Sequence, residues 1–334
     1  MRIPKKDKGF NISHAFVDWV NFTFKSAALP LSLNTGHQAV TDYEYAQALS
    51  AHLVHIFGLG VTRQRENGMN FYKHSFDIGD RGEGIVCIGG QRDSVLVTIK
   101  GQGLLGSKVG WELRLKQFLE SIPGATLTRV DLASDNFNSA LSLDDYLDFY
   151  HQGLYSSNGR PPEVECLGNW VKPNGKGRTL YVGSRTSGKL LRVYEKGLQL
   201  ANGFHELFKN WVRVELELKN TDRVIPLDVL TAPGQYLAGS YPALNFIHKK
   251  QDFIKTCKNI VKSTMERAIE TTRHQFGKYI WVFSEIYGIE ETINKLTIDK
   301  QEMPKRLIFD TYEQYLPTDF IHNEKIYVSN ALIV

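Results

Sequence analysis

The chain has 334 residues, of which 42% are hydrophobic and 23% are charged, a composition that excludes a wholly disordered protein and permits a large core. The formal net charge of +4 is only mildly basic, so it permits a polyanionic partner without requiring one. The three cysteines, Cys87, Cys166 and Cys257, show no C-x-x-C spacing, which excludes a disulfide framework and a thiolate zinc site and favours a reducing compartment. We expect no signal peptide and no membrane span.

The first half of the chain combines strand and helix patterns. Residues 14–24 are aromatic and β-branched, which predicts a strand, and residues 42–58 have apolar spacing near 3.6 and end in Gly, which predicts a helix. Glycine-punctuated strands follow in FYKHSFDIG, GIVCIGG and SVLVTIKGQG. A helix is predicted over 107–122 and a strand over 126–137. The segment SLDDYLDFYHQG predicts another helix, with Ser142 as its N-cap.

The second half begins with residues 156–178, which are rich in Ser, Asn, Gly, Pro and Lys and predict a surface connection. Strand patterns return in TLYVGS, LLRVYEKG and WVRVELELKN. From Pro226 onward the pattern is helical, with a basic helix predicted near 249–278. The chain is therefore expected to contain four regions, over residues 1–155, 156–178, 179–245 and 246–334.

The two halves resemble each other in sequence. GIVCIGG, SVLVTIKGQG and LTRVDLAS match RTLYVGS, KLLRVYEKGLQ and WVRVELEL in the same order, although the match is short and chance is the alternative. Aligning the Lys-Gly pairs sets Thr98 against Tyr194, so only the second half carries the tyrosine. The repeat predicts an α+β fold in which two related antiparallel β-sheet units face each other across a central groove, with flanking helices and a helical C-terminal region.

Alternation along a strand sends every second side chain to the same face. Three strands then each carry one polar face, composed of Arg192, Tyr194 and Lys196, of Arg213, Glu215 and Glu217, and of Arg129, Asp131 and Asp135. An ordinary solvated strand face would give the same pattern for any one strand. If the three faces converge, the crowded carboxylates must protonate or take up a cation, and oxygen ligands suit Mg²⁺ or Mn²⁺.

A divalent cation beside a tyrosine, with Arg and Lys nearby, is suited to phosphoryl transfer. The phenol of Tyr194 would attack phosphorus and form a covalent intermediate. A phenol is a poor nucleophile at its ordinary pKa of about 10, so neighbouring cations or the metal must favour the phenolate. Breakage of a DNA strand in this way leaves a 3′-hydroxyl that can prime synthesis.

Other charged residues are candidate DNA contacts. GSRTSGKL departs from the phosphate-loop pattern at Leu190 and predicts a hairpin turn, on which Arg185 and Lys189 can reach a phosphate backbone. The predicted basic helix contributes Lys255, Lys258 and Lys262. A solvated helix is the alternative interpretation of those lysines. Asp18 lies among aromatic residues, where an acid needs a partner, and we interpret it as structural.

The segments TRVDLASDNF, TLYVGSRTSGKLLRVYEKG, WVRVELELKN and RVIPLDVL resemble the replication initiation factor family, in the same order over roughly residues 14–245. That family includes rolling-circle initiators of plasmids, relaxases of conjugative transposons and replication proteins of filamentous phages, and this chain looks closest to the phage branch. The resemblance implies a metal-dependent endonuclease in the cytoplasm of a bacterial host. Such an enzyme nicks one strand at a replication origin, stays linked to the 5′-phosphate through tyrosine, and rejoins the strand.

The resemblance also implies roles for particular residues. The tyrosine motif of the family matches Arg192, Tyr194 and Lys196 as catalytic residues, and Tyr181 is the alternative nucleophile. The acidic strands of the family match the expected metal ligands Asp131, Glu215 and Glu217, with Asp135 as a further candidate. Because the His-hydrophobe-His motif of other rolling-circle nucleases is missing here, an all-carboxylate site for Mg²⁺ or Mn²⁺ is expected.

The expected partners are origin DNA, a host helicase, because the chain carries no helicase motor, and the host polymerase machinery. The sequence leaves the oligomeric state open, with a homodimer among the options. The alternatives are a relaxase for DNA mobilisation, a non-catalytic DNA-binding regulator that kept the fold, and a metal phosphoesterase. The phosphoesterase would use activated water and would not need Tyr194.

Overall fold

The structure is a computed structural model that describes residues 15–32, 36–137, 140–156, 159–199, 208–256, 263–297 and 307–308. The chain forms two compact units, Met1–Lys258 and Asn259–Val334. The predicted regions 1–155, 156–178 and 179–245 all lie in the first unit because one sheet runs through them. The boundary between compact units therefore follows residue 258, whereas the sequence suggested divisions after residues 155, 178 and 245.

The first unit is built on ten antiparallel strands. They are β1 (Phe16–Lys25), β2 (Val61–Gln64), β3 (His74–Ile78), β4 (Gly84–Ile88), β5 (Ser94–Ile99), β6 (Thr126–Asn136), β7 (Val164–Leu167), β8 (Thr179–Val182), β9 (Lys189–Glu195) and β10 (Val212–Lys219). Their order in the sheet is β2-β3-β4-β5-β1-β6-β10-β9-β8-β7. The predicted strands are confirmed, and the predicted connection holds one more strand, β7, which pairs with β8.

The α-helices of the first unit within the described residues are α1 (Asp42–Phe57), α2 (Gly101–Leu105), α3 (Trp111–Glu120), α4 (Leu143–His151), α5 (Lys196–Gln199) and α6 (Pro233–Ser240). A capping box of Thr41 and Glu44 starts α1, and Gly58 ends it at a φ of 81°. A second capping box, of Ser142 and Asp145, starts α4, which confirms the predicted N-cap.

The core lies on one side of the sheet. The core-facing side chains of β10 are Val212, Val214, Leu216 and Leu218. Leu49 and Leu53 of α1 and Leu115 of α3 are buried in the same core, so these helices cover this side. The opposite side, here called the polar face, carries Arg129, Asp131, Arg192, Tyr194, Arg213, Glu215 and Glu217.

The two halves of the chain join edge to edge, and the predicted pair of units facing each other across a groove is wrong. β6 and β10 are neighbours in the middle of the sheet, with Asp131 opposite Glu217. This pairing satisfies backbone groups that two separate units would leave at open edges. β1 lies between β5 and β6, whereas β9 lies directly beside β10, so the strand order differs between the halves. An internal duplication stays a hypothesis.

The predicted basic helix near 249–278 begins later than expected. Residues 249–256 are not helical, and Thr256 forms a β-bridge with Arg223, which fixes an extended backbone there. Lys255 is exposed on this irregular segment. Cys257 and the predicted DNA contacts Lys258 and Lys262 lie outside the part of the chain that the structure describes.

The second unit contains α7 (Met265–Tyr287) and α8 (Ile289–Leu296), separated by Gly288 at a φ of 80°. The two-residue strands β11 (Ser263–Thr264) and β12 (Leu307–Ile308) pair in parallel. Across the described parts of both units, every helix is too short or too polar to cross a membrane.

Candidate active site

The central strands bring the predicted polar residues together. The register sets Asp131 of β6 opposite Glu217 of β10, and it sets Arg213 of β10 between Asp135 of β6 and Tyr194 of β9. Side chains of directly opposed residues point to the same side of a sheet. The condition raised from the sequence, that the polar faces of these three strands meet, therefore holds for Arg129, Asp131, Arg192, Tyr194, Arg213, Glu215 and Glu217.

Two arginines bridge the carboxylates of Asp131, Glu215 and Glu217. Arg129 Nε and Nη2 donate to Asp131 Oδ1 and Oδ2 at 2.8 and 2.6 Å, and Arg129 Nη2 also lies 2.7 Å from Glu217 Oε2. Arg192 Nη2 donates to Glu215 Oε1 and lies 3.6 Å from Asp131 Oδ2. With guanidinium groups between them, no three His, Cys, Asp or Glu side chains of the described ranges are spaced to hold a metal ion.

Burial makes this carboxylate group unusual. Asp131 is 1% exposed, and its removal from water, together with the charges of Glu215 and Glu217, raises its pKa to about 6 against the opposing effect of Arg129. Lys219 Nζ lies 2.6 Å from Glu217 Oε1, so three cations balance three carboxylates here. Burial is thus the main cause of the raised pKa, and such perturbed carboxyls are common at functional sites.

Tyr194 is attached to the same group through Glu215. Its Oη donates to Glu215 Oε2 at 3.1 Å, while Glu215 Oε1 accepts from Arg192. Burial and the negative charge of Glu215 raise the pKa of Tyr194 above its usual range, although Arg213 opposes the shift. The phenol is therefore protonated in this arrangement, and Glu215 is the carboxylate placed to accept its proton.

Lys196 lies beside Tyr194, although strand alternation does not put it there. β9 ends at Glu195, and Lys196 is the first residue of α5. Its Nζ lies 5.6 Å from the centroid of the Tyr194 ring and donates to Gln199 Oε1 at 3.2 Å. Burial and the neighbouring Arg213 lower the pKa of Lys196. The start of α5 therefore places the ammonium group of Lys196 within the site.

Arg213 organises the neighbouring part of the polar face. Its Nε and Nη2 donate to Asp135 Oδ1 and Oδ2 at 2.7 and 2.8 Å, and Trp211 Nε1 donates to Asp135 Oδ1 at 2.7 Å. Its Nη1 lies 3.3 Å from Asp18, at a bulge in β1 that turns this acid toward the polar face. The sequence did not anticipate either contact of Asp135. Arg213 is therefore the partner that the structural interpretation of Asp18 requires.

Tyr181 occupies a different place from Tyr194. It lies opposite Arg192 on β8, and the guanidinium carbon of Arg185 lies 4.5 Å from the centroid of its ring. Arg185 itself is exposed on the turn between β8 and β9, where the predicted hairpin is confirmed. The hydrogen bond to Glu215 belongs to Tyr194.

The prediction that Lys189 contacts the phosphate backbone of DNA is wrong, because its side chain is engaged within the protein. Lys189 lies opposite Leu218, on the core side of β9. Its Nζ donates to the carbonyl of Ser240 at 3.0 Å and lies 3.7 Å from the centroid of the Tyr241 ring. Burial lowers the pKa of Lys189 to about 8, with Arg223 as a lesser cause. The ammonium is therefore engaged inside the protein.

Replacing Lys189 with methionine is expected to remove a pH-dependent part of the stability. The pKa is about 8 in the folded protein and 10.5 ordinarily, so the unfolded chain binds more protons between those values. The stability of wild type relative to Lys189→Met should therefore rise from about pH 8 to pH 10. Urea unfolding of both proteins at pH 7, 8, 9 and 10 measures the difference, and a flat difference contradicts the internal position of the ammonium.

The family model described as "replication initiation factor" matches residues 125–296, slightly more than half of the 334 residues. The chain belongs to the replication initiation factor family. The matched region includes β6, β9 and β10, and with them the whole carboxylate group and Tyr194. It leaves β1 to β5 outside.

Two known proteins are similar to this chain. The chain is 30% identical over 178 residues to a protein of Bacillus subtilis (strain 168) provisionally named DNA relaxase NicK. The matched residues make up 50% of this chain and 49% of that protein. The chain thus spans about half the length of this relative. A solved rolling-circle replication initiator protein from Geobacillus stearothermophilus aligns at 22% identity and a TM-score of 0.46, over 62% of this chain and 74% of the other.

Proposed function

We propose that the protein is a rolling-circle replication initiator that nicks one strand of origin DNA and joins its 5′-phosphate to Tyr194. The observation that carries the proposal is the hydrogen bond from Tyr194 Oη to Glu215 within a group of buried carboxylates and arginines. Family membership supports it. Relaxase activity in DNA mobilisation is the second candidate, favoured by the match to NicK, and it would use the same cleavage.

In the proposed cleavage, Glu215 Oε2 takes the phenolic proton of Tyr194 as the phenolic oxygen attacks phosphorus. A bond forms between Tyr194 Oη and phosphorus, and the bond from phosphorus to the 3′-oxygen breaks. The 3′-oxygen keeps the electron pair and takes a proton from solvent, which gives a free 3′-hydroxyl. Arg192 and Lys196 offset the charge that develops on the phosphoryl oxygens. Attack by a 3′-hydroxyl on the phosphotyrosine reverses these steps and rejoins the strand.

We also propose that Asp131, Glu215 and Glu217 would hold Mg²⁺ or Mn²⁺. Carboxylate oxygens suit a hard divalent cation, but Arg129 and Arg192 lie between these three side chains, so an ion would have to take the place of the guanidinium groups. Such an ion, when bound, polarises phosphoryl oxygens and offsets developing charge. Asp135 is already held by Arg213 and Trp211, so we leave it out of this ligand set.

Binding of Mn²⁺ is expected to weaken as the pH falls through about 6. Below the pKa of about 6, Asp131 is protonated and cannot ligate, so affinity should drop about tenfold per pH unit. Electron paramagnetic resonance of free Mn²⁺ at pH 5, 6, 7 and 8 measures the affinity without any reaction. Asp131→Asn is the control and should bind weakly at every pH. Equal affinity of the wild-type protein at pH 5 and pH 7 contradicts the assignment.

The proposed partners follow from the proposed reaction. Arg185 and Lys255 are exposed and would contact origin DNA, with salt-dependent affinity. Lys258 and Lys262 keep the same predicted role outside the described residues. A host helicase would unwind the duplex, the host polymerase machinery would extend the 3′-hydroxyl, and a homodimer is one arrangement in which the protein would act.

The test is to incubate the protein with Mn²⁺ or Mg²⁺ and a supercoiled plasmid that carries the replication origin on which the protein acts. The proposal expects a nicked circle with protein attached in the presence of detergent. Nicking without attachment would support a phosphoesterase that uses water. Binding without nicking would support a regulator, and either result overturns the proposal.

A further inference from the structure

The polar face continues beyond the family match into the N-terminal strands. Asn21 of β1 lies opposite Arg129 of β6 on one side and Thr98 of β5 on the other. Thr98 lies opposite Ile85 of β4. The guanidinium carbon of Arg129 lies 4.9 Å from the centroid of the Trp19 ring, which connects the carboxylate group to β1. The same side of the sheet therefore runs from the proposed nicking site to β4, with Asn21 partly exposed and Thr98 and Ile85 buried.

We propose that this N-terminal surface binds single-stranded DNA that flanks the nick, with Phe71 as a base-stacking platform. The surface, here called the N-terminal tract, consists of Asn21, Thr23, Lys25, Phe71, Lys73 and Arg92. The inference rests on the proposed function, because it assigns the tract to the same DNA that is cleaved. It gives a role to strands that the family model leaves unmatched.

Phe71 lies on a loop that is fixed by hydrogen bonds and exposes the ring to solvent. Its side chain is 94% exposed, and both it and Asn70 have positive φ, at 67° and 54°. Non-glycine residues in that region are strained, and such strain is concentrated at functional positions. The loop is tied down where Tyr72 Oη meets Ser94 Oγ at 2.7 Å and where Gln91 Nε2 donates to the Phe71 carbonyl at 3.1 Å. An aromatic ring held out on a fixed loop is suited to stacking.

The loop lies on the polar face and not on the core side. Tyr72 packs against a small cluster of Ile85, Cys87 and Leu96. The register places Cys87 and Leu96 opposite each other, and it places Leu96 opposite Thr23 of β1. These side chains share the side of the sheet that carries Asn21 and Arg129 further along. Phe71 therefore stands at the far end of the same surface as Tyr194.

The charge around Phe71 favours a polyanion. Lys25, Lys73 and Arg92 are exposed, and Lys25 Nζ donates to the Arg92 carbonyl, which joins the end of β1 to the turn at residues 91–93. Asp77 is already paired with Arg63 and Arg65, at 2.9 and 2.6 Å. The cations Lys25, Arg63, Arg65, Lys73 and Arg92 outnumber the acids Glu66, Asp77 and Asp93. An aromatic ring beside cations is the usual surface for single-stranded nucleic acid.

Spacing gives the length of DNA required. Tyr194 lies on β9, and six strand-to-strand steps separate β9 from β3, which is about 29 Å at roughly 4.8 Å per step. At about 3.4 Å per nucleotide that distance corresponds to about eight or nine nucleotides. An oligonucleotide bound at Tyr194 is therefore expected to reach Phe71 only when it extends about eight or nine nucleotides beyond the site.

The test compares wild type, Phe71→Ala and Leu113→Ala by fluorescence anisotropy with labelled dT6 and dT18, without metal. Leu113 is 53% exposed on α3, which covers the core side, so it is the matched control. Phe71→Ala should lose about five- to a hundred-fold in affinity for dT18 and less than about twofold for dT6. Leu113→Ala should match wild type with both.

A second variant tests the charges independently. Lys73→Gln with Arg92→Gln should lower the slope of log affinity against log salt by about 1.4 for dT18, since each phosphate contact on a single strand contributes about 0.7. If Phe71→Ala binds dT18 as tightly as the wild-type protein does, the proposal is overturned. The N-terminal tract would then be a candidate surface for a protein partner. Because binding is measured without metal or cleavage, a failure of the nicking reaction leaves this result standing.

Discussion

Tyr194→Phe is expected to abolish both strand cleavage and covalent attachment to DNA, a loss of about 10⁴-fold or more. The phenylalanine ring keeps the packing of Tyr194 but removes the only oxygen of that side chain that can bond phosphorus. It also removes the hydrogen bond to Glu215 Oε2. The measurement is the fraction of plasmid converted to nicked circle, together with the fraction of protein that migrates with DNA on a detergent gel.

Tyr181→Phe is the matched control for this loss. Tyr181 lies on the neighbouring strand with its ring against Arg185, and a phenylalanine keeps that contact. Cleavage by Tyr181→Phe should stay within about threefold of wild type. Loss of cleavage in Tyr181→Phe with retention in Tyr194→Phe would exchange the two assignments.

Arg213→Met is expected to lower the free energy of unfolding by about 3–5 kcal/mol. Arg213 is the partner of Asp135 through two hydrogen bonds, and its Nη1 lies near Asp18. Both Arg213 and Asp135 are buried, at 8% and 5% exposed, so the variant removes two hydrogen bonds and a positive charge from a carboxylate in a site with little water. Urea unfolding at pH 7 measures the loss.

The control is Arg185→Met, which removes an exposed arginine and should change the free energy of unfolding by less than about 0.5 kcal/mol. Adding Asp135→Asn to Arg213→Met should recover part of the stability, because the remaining buried charge is removed. An Arg213→Met protein as stable as wild type contradicts the ion-pair network described for this part of the polar face.

The parts of the fold that depend on local pattern were predictable. Alternation along β10 separates Val214 and Leu216 from Glu215, and the structure buries them on opposite sides as expected. The N-cap at Ser142 is a local hydrogen bond, so its signature is also local. Neither depends on which strand lies alongside.

Features that depend on partners distant in sequence were not predictable. Asp18 reaches Arg213 because of a bulge in β1 whose position is set by pairing with β6. Lys189 turns inward because Ser240 and Tyr241 lie there to receive it. Thr256 is extended because it bridges to Arg223. The sequence shows the residue types in each case, but it does not show the contact.

The candidate site shows the same division. The sequence identified Asp131, Glu215 and Glu217 as residues on the polar faces of two strands, and the sheet brings them together. It did not show that Arg129 and Arg192 stand between the carboxylates, because that arrangement depends on side-chain reach across strands. The proposed metal would have to replace these guanidinium groups as the counter-charge of the cluster.

The most direct test of the central claim is to identify the amino acid that carries the DNA. The protein–DNA adduct formed in the nicking reaction is digested with nuclease and trypsin, and the peptides are analysed by tandem mass spectrometry. Trypsin cleaves after Arg192 and Lys196, so the expected product is the peptide VYEK with a nucleotide joined through its 5′-phosphate to Tyr194. A phosphate on Tyr181 in the peptide TLYVGSR, or on any other residue, would contradict the assignment of Tyr194 as nucleophile.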